Sequence, residues 1–204
     1  MSGMILDPEN YFSGFVPPRD MLLQTLEKEA RAEGIPIVGP MVGELLFLLA
    51  DATNAKTVLG LGTATGYSTI YLARAVEKRD GKVMTWEISE EMAQRAEKNL
   101  VHAGLFPFVD IRTGDVVRGI KRLDGPFDLI FIDIEKKDYA AVLPDCHRLL
   151  RQGGIVIADN VAFSDAASFN RAIFDSPGWR SVHLYGFLPG HSPEQDGLCL
   201  GLRV

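Results

Sequence analysis

The sequence predicts an α/β protein built on a mostly parallel sheet with helices on both faces. Three observations carry this. From Lys56 onward, short apolar runs alternate with stretches of helical period, a pattern that requires crossover connections and parallel neighbours. Two of the runs, FDLIFID and GIVIADN, are apolar almost without a break, as strands buried on both faces are. No repeat, low-complexity tract or long linker divides the 204 residues, enough for one unit to bury roughly 70% of its extended-chain surface.

The elements follow in order. Residues 1–19, with Pro8, Pro17 and Pro18, read as irregular. A helix is expected over Asp20–Glu33, where Leu22, Leu23, Leu26 and Ala30 keep helical spacing and Gly34 ends it. A second, more uniformly apolar helix spans Met41–Ala52. TVLGLG is a strand entering glycines, and TGYSTIYLARAVE the helix after it. KVMTWE is a strand; SEEMAQRAEKNLVHAG is a helix capped by Ser89 and stopped by Gly104. FVDIRTGD and FDLIFID are strands, DYAAVLPDCHRLLRQGG a helix interrupted or delayed by Pro144, and GIVIADN a strand. A short helix over Ala166–Phe174 precedes two closing strands, WRSVHLY and DGLCLGLRV, joined by a hairpin loop over Gly186–Gln195.

Composition narrows the function classes. Twenty-one Lys and Arg against 27 Asp and Glu give a net charge of −6 and a pI near 5.2. That weighs against a partner dominated by phosphate backbone. Cys146 and Cys199 lie in apolar segments and read as small buried hydrophobes. The first 30 residues show no basic stretch followed by an apolar one, and no uncharged apolar run reaches the roughly 18 residues of a membrane span. The expectation is a reduced cytoplasmic protein with no membrane partner.

Parallel sheets bind ligands beyond the carboxyl ends of their strands. Those ends carry Gly60–Gly66, Glu87, Gly114–Asp115, Asp133 and Asp159–Asn160. GLGTATG lets backbone approach a ligand and opens a helix N-terminus, although Thr65 stands where a dinucleotide fingerprint has its third glycine. Glu87 can accept from both hydroxyls of a ribose, and Asp115 either meets an adenine or caps the next helix. Asp133, Asp159 and Asn160 make an oxygen donor set suited to Mg²⁺, Mn²⁺ or Ca²⁺. Lys136, three residues past Asp133, is the candidate proton acceptor. His102, His147, His183 and His191 form no triad or cluster and read as structural or exposed.

Taken together, VLGLGTATGYSTIYLA, WEISEEMAQRAEKNL, FDLIFIDIEKKDY and GGIVIADNVAFSD resemble the cation-dependent class I O-methyltransferases that use S-adenosylmethionine, the catechol and caffeoyl-CoA O-methyltransferases and their bacterial relatives. The resemblance runs from about Ile37 to Val204. It implies a Rossmann-like, seven-stranded sheet whose last strand is antiparallel, in one domain over 1–204, with a helical cap segment (1–55) on a cofactor-binding core (56–204). It implies that Gly62, Gly66 and Ser68 border the methionine part of the cofactor, that Gly60 and Val38 are also cofactor-site positions, and that Glu87 lies at the ribose and Asp115 near the adenine. Asp133, Asp159 and Asn160 would hold the metal, Asp133 also bordering the cofactor, and Lys136 would be the general base. The implied acceptor is a small aromatic with neighbouring hydroxyls. A nucleoside in tRNA is the alternative acceptor, and a silent cofactor-binding protein the alternative to an enzyme. The resemblance leaves a homodimer open. The chain departs from the family pattern at Gly60, where the family usually has an acid, at Ala64, and in having only eight residues between Asn160 and Phe169, which implies a more open acceptor pocket. A nicotinamide-dependent dehydrogenase would account for Gly60, Gly62 and Glu87 and leave Asp133, Asp159 and Asn160 without a role.

Overall fold

A computed structural model describes residues 3–204. Its centre is a seven-stranded sheet: β1 (Thr57–Leu61), β2 (Lys82–Glu87), β3 (Val109–Thr113), β4 (Phe127–Ile132), β5 (Leu150–Ala158), β6 (Trp179–Phe187) and β7 (Gln195–Arg203). The order across the sheet is β3-β2-β1-β4-β5-β7-β6. β1 to β5 pair in parallel, and β7 runs antiparallel to both β5 and β6. The fold class and the reversed last strand are as expected. The order reverses at β1, so the cleft between β1 and β4 is the switch point where such sheets take ligands.

Alternation along the strands divides the core in two. Val58 of β1 and Leu129 and Phe131 of β4 face one cluster, with α2 (Met21–Glu33), α3 (Gly39–Ala52), α4 (Tyr67–Glu77) and α5 (Glu90–His102) above it. Leu59, Leu61, Ile130 and Ile132 face the other, covered by α7 (Tyr139–Leu149) and α8 (Ala167–Asp175). Cys146 and Cys199 are wholly buried, and burial pushes the Cys199 thiol up to about 12. Among the described residues no helix is long and apolar enough to cross a membrane.

Caps fix the helix starts. The Asp20 carboxylate accepts from Leu23 N at 2.9 Å, and the Ser89 hydroxyl from Met92 N at 3.3 Å. Two expectations are corrected. Residues 1–19 are not wholly irregular: Asp7 caps α1 (Pro8–Ser13), with a proline in its first turn. The helix that Asp115 was offered to cap is the short α6 (Val116–Gly119). The helix expected to run to Gly154 ends at Leu149, and residues 150–154 join β5, Leu150 pairing with Phe127. Gly153, at φ 72°, and an Arg151–Asp128 ion pair at 2.7 Å turn the chain there.

Asp128 ties the foot of the sheet together. Its carboxylate accepts from Lys56 N at 2.8 Å, Thr57 N at 2.9 Å and Arg151 Nε at 2.7 Å. Burial alone would raise its pKa, but these donors outweigh burial and the net shift is downward. Asp128→Ala is expected to cost about 2 kcal/mol in urea unfolding near neutral pH. Because the native pKa is depressed, that stabilisation is present above the unfolded value near 4 and fades as pH falls through the native one. The gap between wild type and variant therefore closes below about pH 4. A gap that persists at pH 2 would assign the effect to packing instead.

Candidate functional site

The site grows from the strand ends. Asp133 N donates to Leu61 O at 2.8 Å and Asp159 N to Ile132 O at 3.0 Å, extending the β1–β4 and β4–β5 ladders by one residue. Ile132 and Ala158 are register partners. Asp133 and Asp159 therefore leave neighbouring parallel strands side by side, with backbones roughly 4.8 Å apart. Burial and the Asp159 charge push the Asp133 carboxyl up to about 6, against the pull of Lys136. Lys136 Nζ lies 3.3 Å from Asp133 Oδ1. Asn160 follows at φ 51°, a conformation Asn tolerates better than most residues. Its Nδ2 donates to Asp196 Oδ2 at 2.6 Å, and among the described residues no group donates to its Oδ1.

The glycine loop forms the opposite wall. Gly62 has φ 101°, and a Cβ there would lie 2.0 Å from the Asp133 carbonyl oxygen. Glu87 organises this loop: its carboxylate accepts from Ala64 N at 2.7 Å, Thr63 N at 3.3 Å and Ser89 N at 2.9 Å. Thr63 and Thr85 hydroxyls pair at 2.7 Å. These groups enclose a cleft of about 270 Å³ bordered by Gly62, Glu87, Asp115, Asp133, Lys136, Asp159 and Asn160. A lobe of about 80 Å³ continues from it past Val38, Thr65 and Ser68. Both share Gly62, Ala64, Glu87 and Asp133.

Most of the residues singled out from the sequence thus border one continuous space. Two do not. Gly60 lies within β1, where a Cβ would meet Thr85 Oγ1 at 2.9 Å; lacking a side chain, it leaves room for the Thr63–Thr85 pair. Gly66 opens α4 at φ 85° and packs on Ala96 of α5. Asp115 borders the cleft and also caps α6, accepting from Val117 N at 2.9 Å.

Of the two readings offered for His191, structural or exposed, the structure shows the first: its Nε2 lies 3.0 and 2.9 Å from the two Asp159 oxygens, both side chains 1% exposed. Burial disfavours the charged ring and Asp159 favours it, with a net upward shift. Nothing in its loop spacing signals this, because the contact joins positions 32 residues apart through the β6–β7 turn. Asp196, which orients Asn160, went unnoticed for the same reason. Among the described residues no three His, Cys, Asp or Glu side chains gather tightly enough to enclose an ion by themselves; the oxygen set here is two carboxylates and an amide.

Known proteins point the same way. Residues 19–169 match the Methyltransf_3 family model, described as O-methyltransferase. A catechol O-methyltransferase of Niastella koreensis is 39% identical over 75% of this chain and 72% of its own length. One from Mycobacterium tuberculosis is 39% identical over 61% of this chain, a match spanning only 56% of that protein. The crystal structure of a Bacillus cereus O-methyltransferase in complex with SAH superposes with a TM-score of 0.86 at 29% identity, covering 97% of each chain. A family match over most of the sequence, on a fold that places its motifs around one cleft, settles the assignment: the chain belongs to the O-methyltransferase family and is an S-adenosylmethionine-dependent methyltransferase.

Proposed function

We propose that the enzyme methylates one hydroxyl of a small catechol-like aromatic, with a divalent cation held by Asp133, Asp159 and Asn160. The observation that carries this reading is the side-by-side exit of Asp133 and Asp159 from β4 and β5, with Lys136 alongside. The donors fit a hard cation: two carboxylates border one cleft from adjacent strands, where burial and then the Asp159 charge raise Asp133, and Asn160 is turned so that its oxygen is unclaimed. The curated relatives named catechol O-methyltransferase support the acceptor class.

When bound, the cation supplies Lewis-acid charge that favours an ionised acceptor hydroxyl. The rest falls to the chain. Glu87 offers its remaining lone pairs to the ribose hydroxyls while holding the glycine loop still. Gly62, Ser68 and Val38 shape the lobe that takes the methionine portion. Lys136 Nζ, 3.3 Å from Asp133 Oδ1, takes the acceptor proton when it enters the step as the neutral amine. The acceptor oxygen then takes the methyl group in line with the departing sulfur, and the protein's main contribution is orientation. A groove of about 780 Å³ between α2 and the β6–β7 turn shares Pro36, Ile37 and Ser192 with the cleft and gives the acceptor room to enter.

S-adenosylhomocysteine formation with a catechol, followed with and without EDTA, tests this. The expected result is activity that falls to background with chelator and returns with added Mg²⁺ or Mn²⁺. Turnover indifferent to chelator would overturn the cation's role. Cofactor binding without transfer to any catechol would overturn the acceptor class.

A further inference from the structure

We propose that two copies of the chain join through the outer edge of β6, which pairs antiparallel with β6 of a second copy about a two-fold axis and continues the sheet across both molecules. The inference concerns assembly and stands apart from the acceptor and the cation. Its ground is the contrast between the two ends of the sheet. β3 and β6 are the edge strands. An open edge offers unpaired N–H and C=O groups to any further strand, and proteins guard such edges with short strands and charges. β3 is guarded: it has five residues, and its Asp110 and Arg112 form an ion pair at 2.7 Å. β6 is not. Its nine residues, WRSVHLYGF, include no proline, lysine or acid, and Arg180 is the single arginine. Val182, Leu184 and Tyr185 along it are 50%, 51% and 71% exposed.

Both faces of this edge are apolar and hollow. Val182 and Leu184 pair with Leu200 and Leu198 of β7 and point to one face. A depression of about 290 Å³ lies there, lined by Ile155, Val182, Leu200 and Leu202. His183 and Tyr185 border a second hollow, of about 550 Å³, with Phe174 of α8. A strand added to this edge needs apolar side chains on both faces, and β6 is itself such a strand. Full-length antiparallel pairing sets His183 opposite His183 of the partner subunit and Val182 opposite the partner's Leu184, apolar against apolar. Arg180 then lies opposite the partner's Gly186, which keeps the two arginines at opposite ends of the seam. The chain carries a net charge of −6, but no acidic side chain of β6 opposes the approach of a second copy. The size also fits. Tyr185 and Phe174, 71% and 65% exposed, offer on the order of 250 Å² per copy, about a third of the roughly 800 Å² per partner of a stable interface. A nine-residue seam, about 30 Å long, adds backbone and the remaining side chains on an isologous contact.

Sedimentation velocity on the full chain at rising concentration tests the assembly. The expected result is a dimer whose self-association weakens by at least about 30-fold in the double variant Val182→Lys with Leu184→Lys. Val101→Lys, an exposed apolar position on α5, should leave the dimer intact. Circular dichroism of the β6 variant is expected to match wild type, since both side chains are already half exposed. The register is read by cross-linking. Cys146 and Cys199 are buried, so a cysteine introduced on the edge reports alone. His183→Cys, opposite itself at a distance a disulfide spans, should give a linked dimer under mild oxidation, and Ser181→Cys, opposite the partner's Tyr185, should not. A wild-type chain that stays monomeric would overturn the proposal. So would a dimer indifferent to the two lysines, or one that cross-links through position 181 and not through 183.

Discussion

Asp159→Ala is expected to lower kcat/KM by about 1,000-fold or more, since on the proposed reading it removes a ligand of a cation whose charge stabilisation is worth several kcal/mol. The reasoning is local. Asp159 is one of two carboxylates facing the cleft from adjacent strands, and the one that meets His191. Its removal takes a donor from the proposed cation site and leaves the buried imidazole without an acceptor, a change that costs about 3–5 kcal/mol where a buried pair is broken. It also removes one cause of the elevated Asp133 pKa, which should move from about 6 toward the ordinary carboxylate range. Steady-state rates, urea unfolding and a ¹³C carboxyl titration of Asp133 measure the three effects separately. Activity within tenfold of wild type would show that this carboxylate takes no part in the chemistry.

Gly62→Ala should be nearly as damaging, by a different route. At φ 101° any L side chain is strained, by about 1–2 kcal/mol. The larger effect is the contact: a Cβ 2.0 Å from the Asp133 carbonyl oxygen forces the ends of β1 and β4 apart. Asp133 and the glycine loop then move relative to each other, and displacements near 1 Å at such a site cost about 100-fold in rate. We expect kcat/KM to fall by at least about that factor and S-adenosylhomocysteine binding by calorimetry to weaken with it. Gly60→Ala is the informative contrast. It contacts Thr85 from inside the strand and should disturb stability more than the cleft. Equal losses of cofactor affinity in the two variants would contradict this placement.

Much of this was legible in the residues. Alternating strands and helices, the buried runs in β4 and β5, and acids at successive strand ends are local patterns, and they located the sheet and the cleft. The parallel register then follows, so Asp133 and Asp159 come together as a consequence of where two apolar runs stop. The foot of β5 was not legible, because Leu150–Gly154 carries a helix-compatible sequence that only pairing with β4 and the Arg151–Asp128 contact draws into the sheet. Whether Asp115 capped or faced the ligand was undecidable for a similar reason, since one carboxylate at a strand end can do both.

By itself, then, the sequence determined a helix-covered parallel sheet, a glycine loop and a row of strand-end acids, because each depends on residues close together in the chain. The tertiary structure alone decided that Gly60 lies beneath Thr85, that Asp196 orients Asn160, and that His191 meets Asp159. Those contacts form only when the β6–β7 turn folds back over the ends of β4 and β5. Side chains without periodicity in a turn carry no record of the partner they will reach, so packing has to bring the two together before either can be assigned.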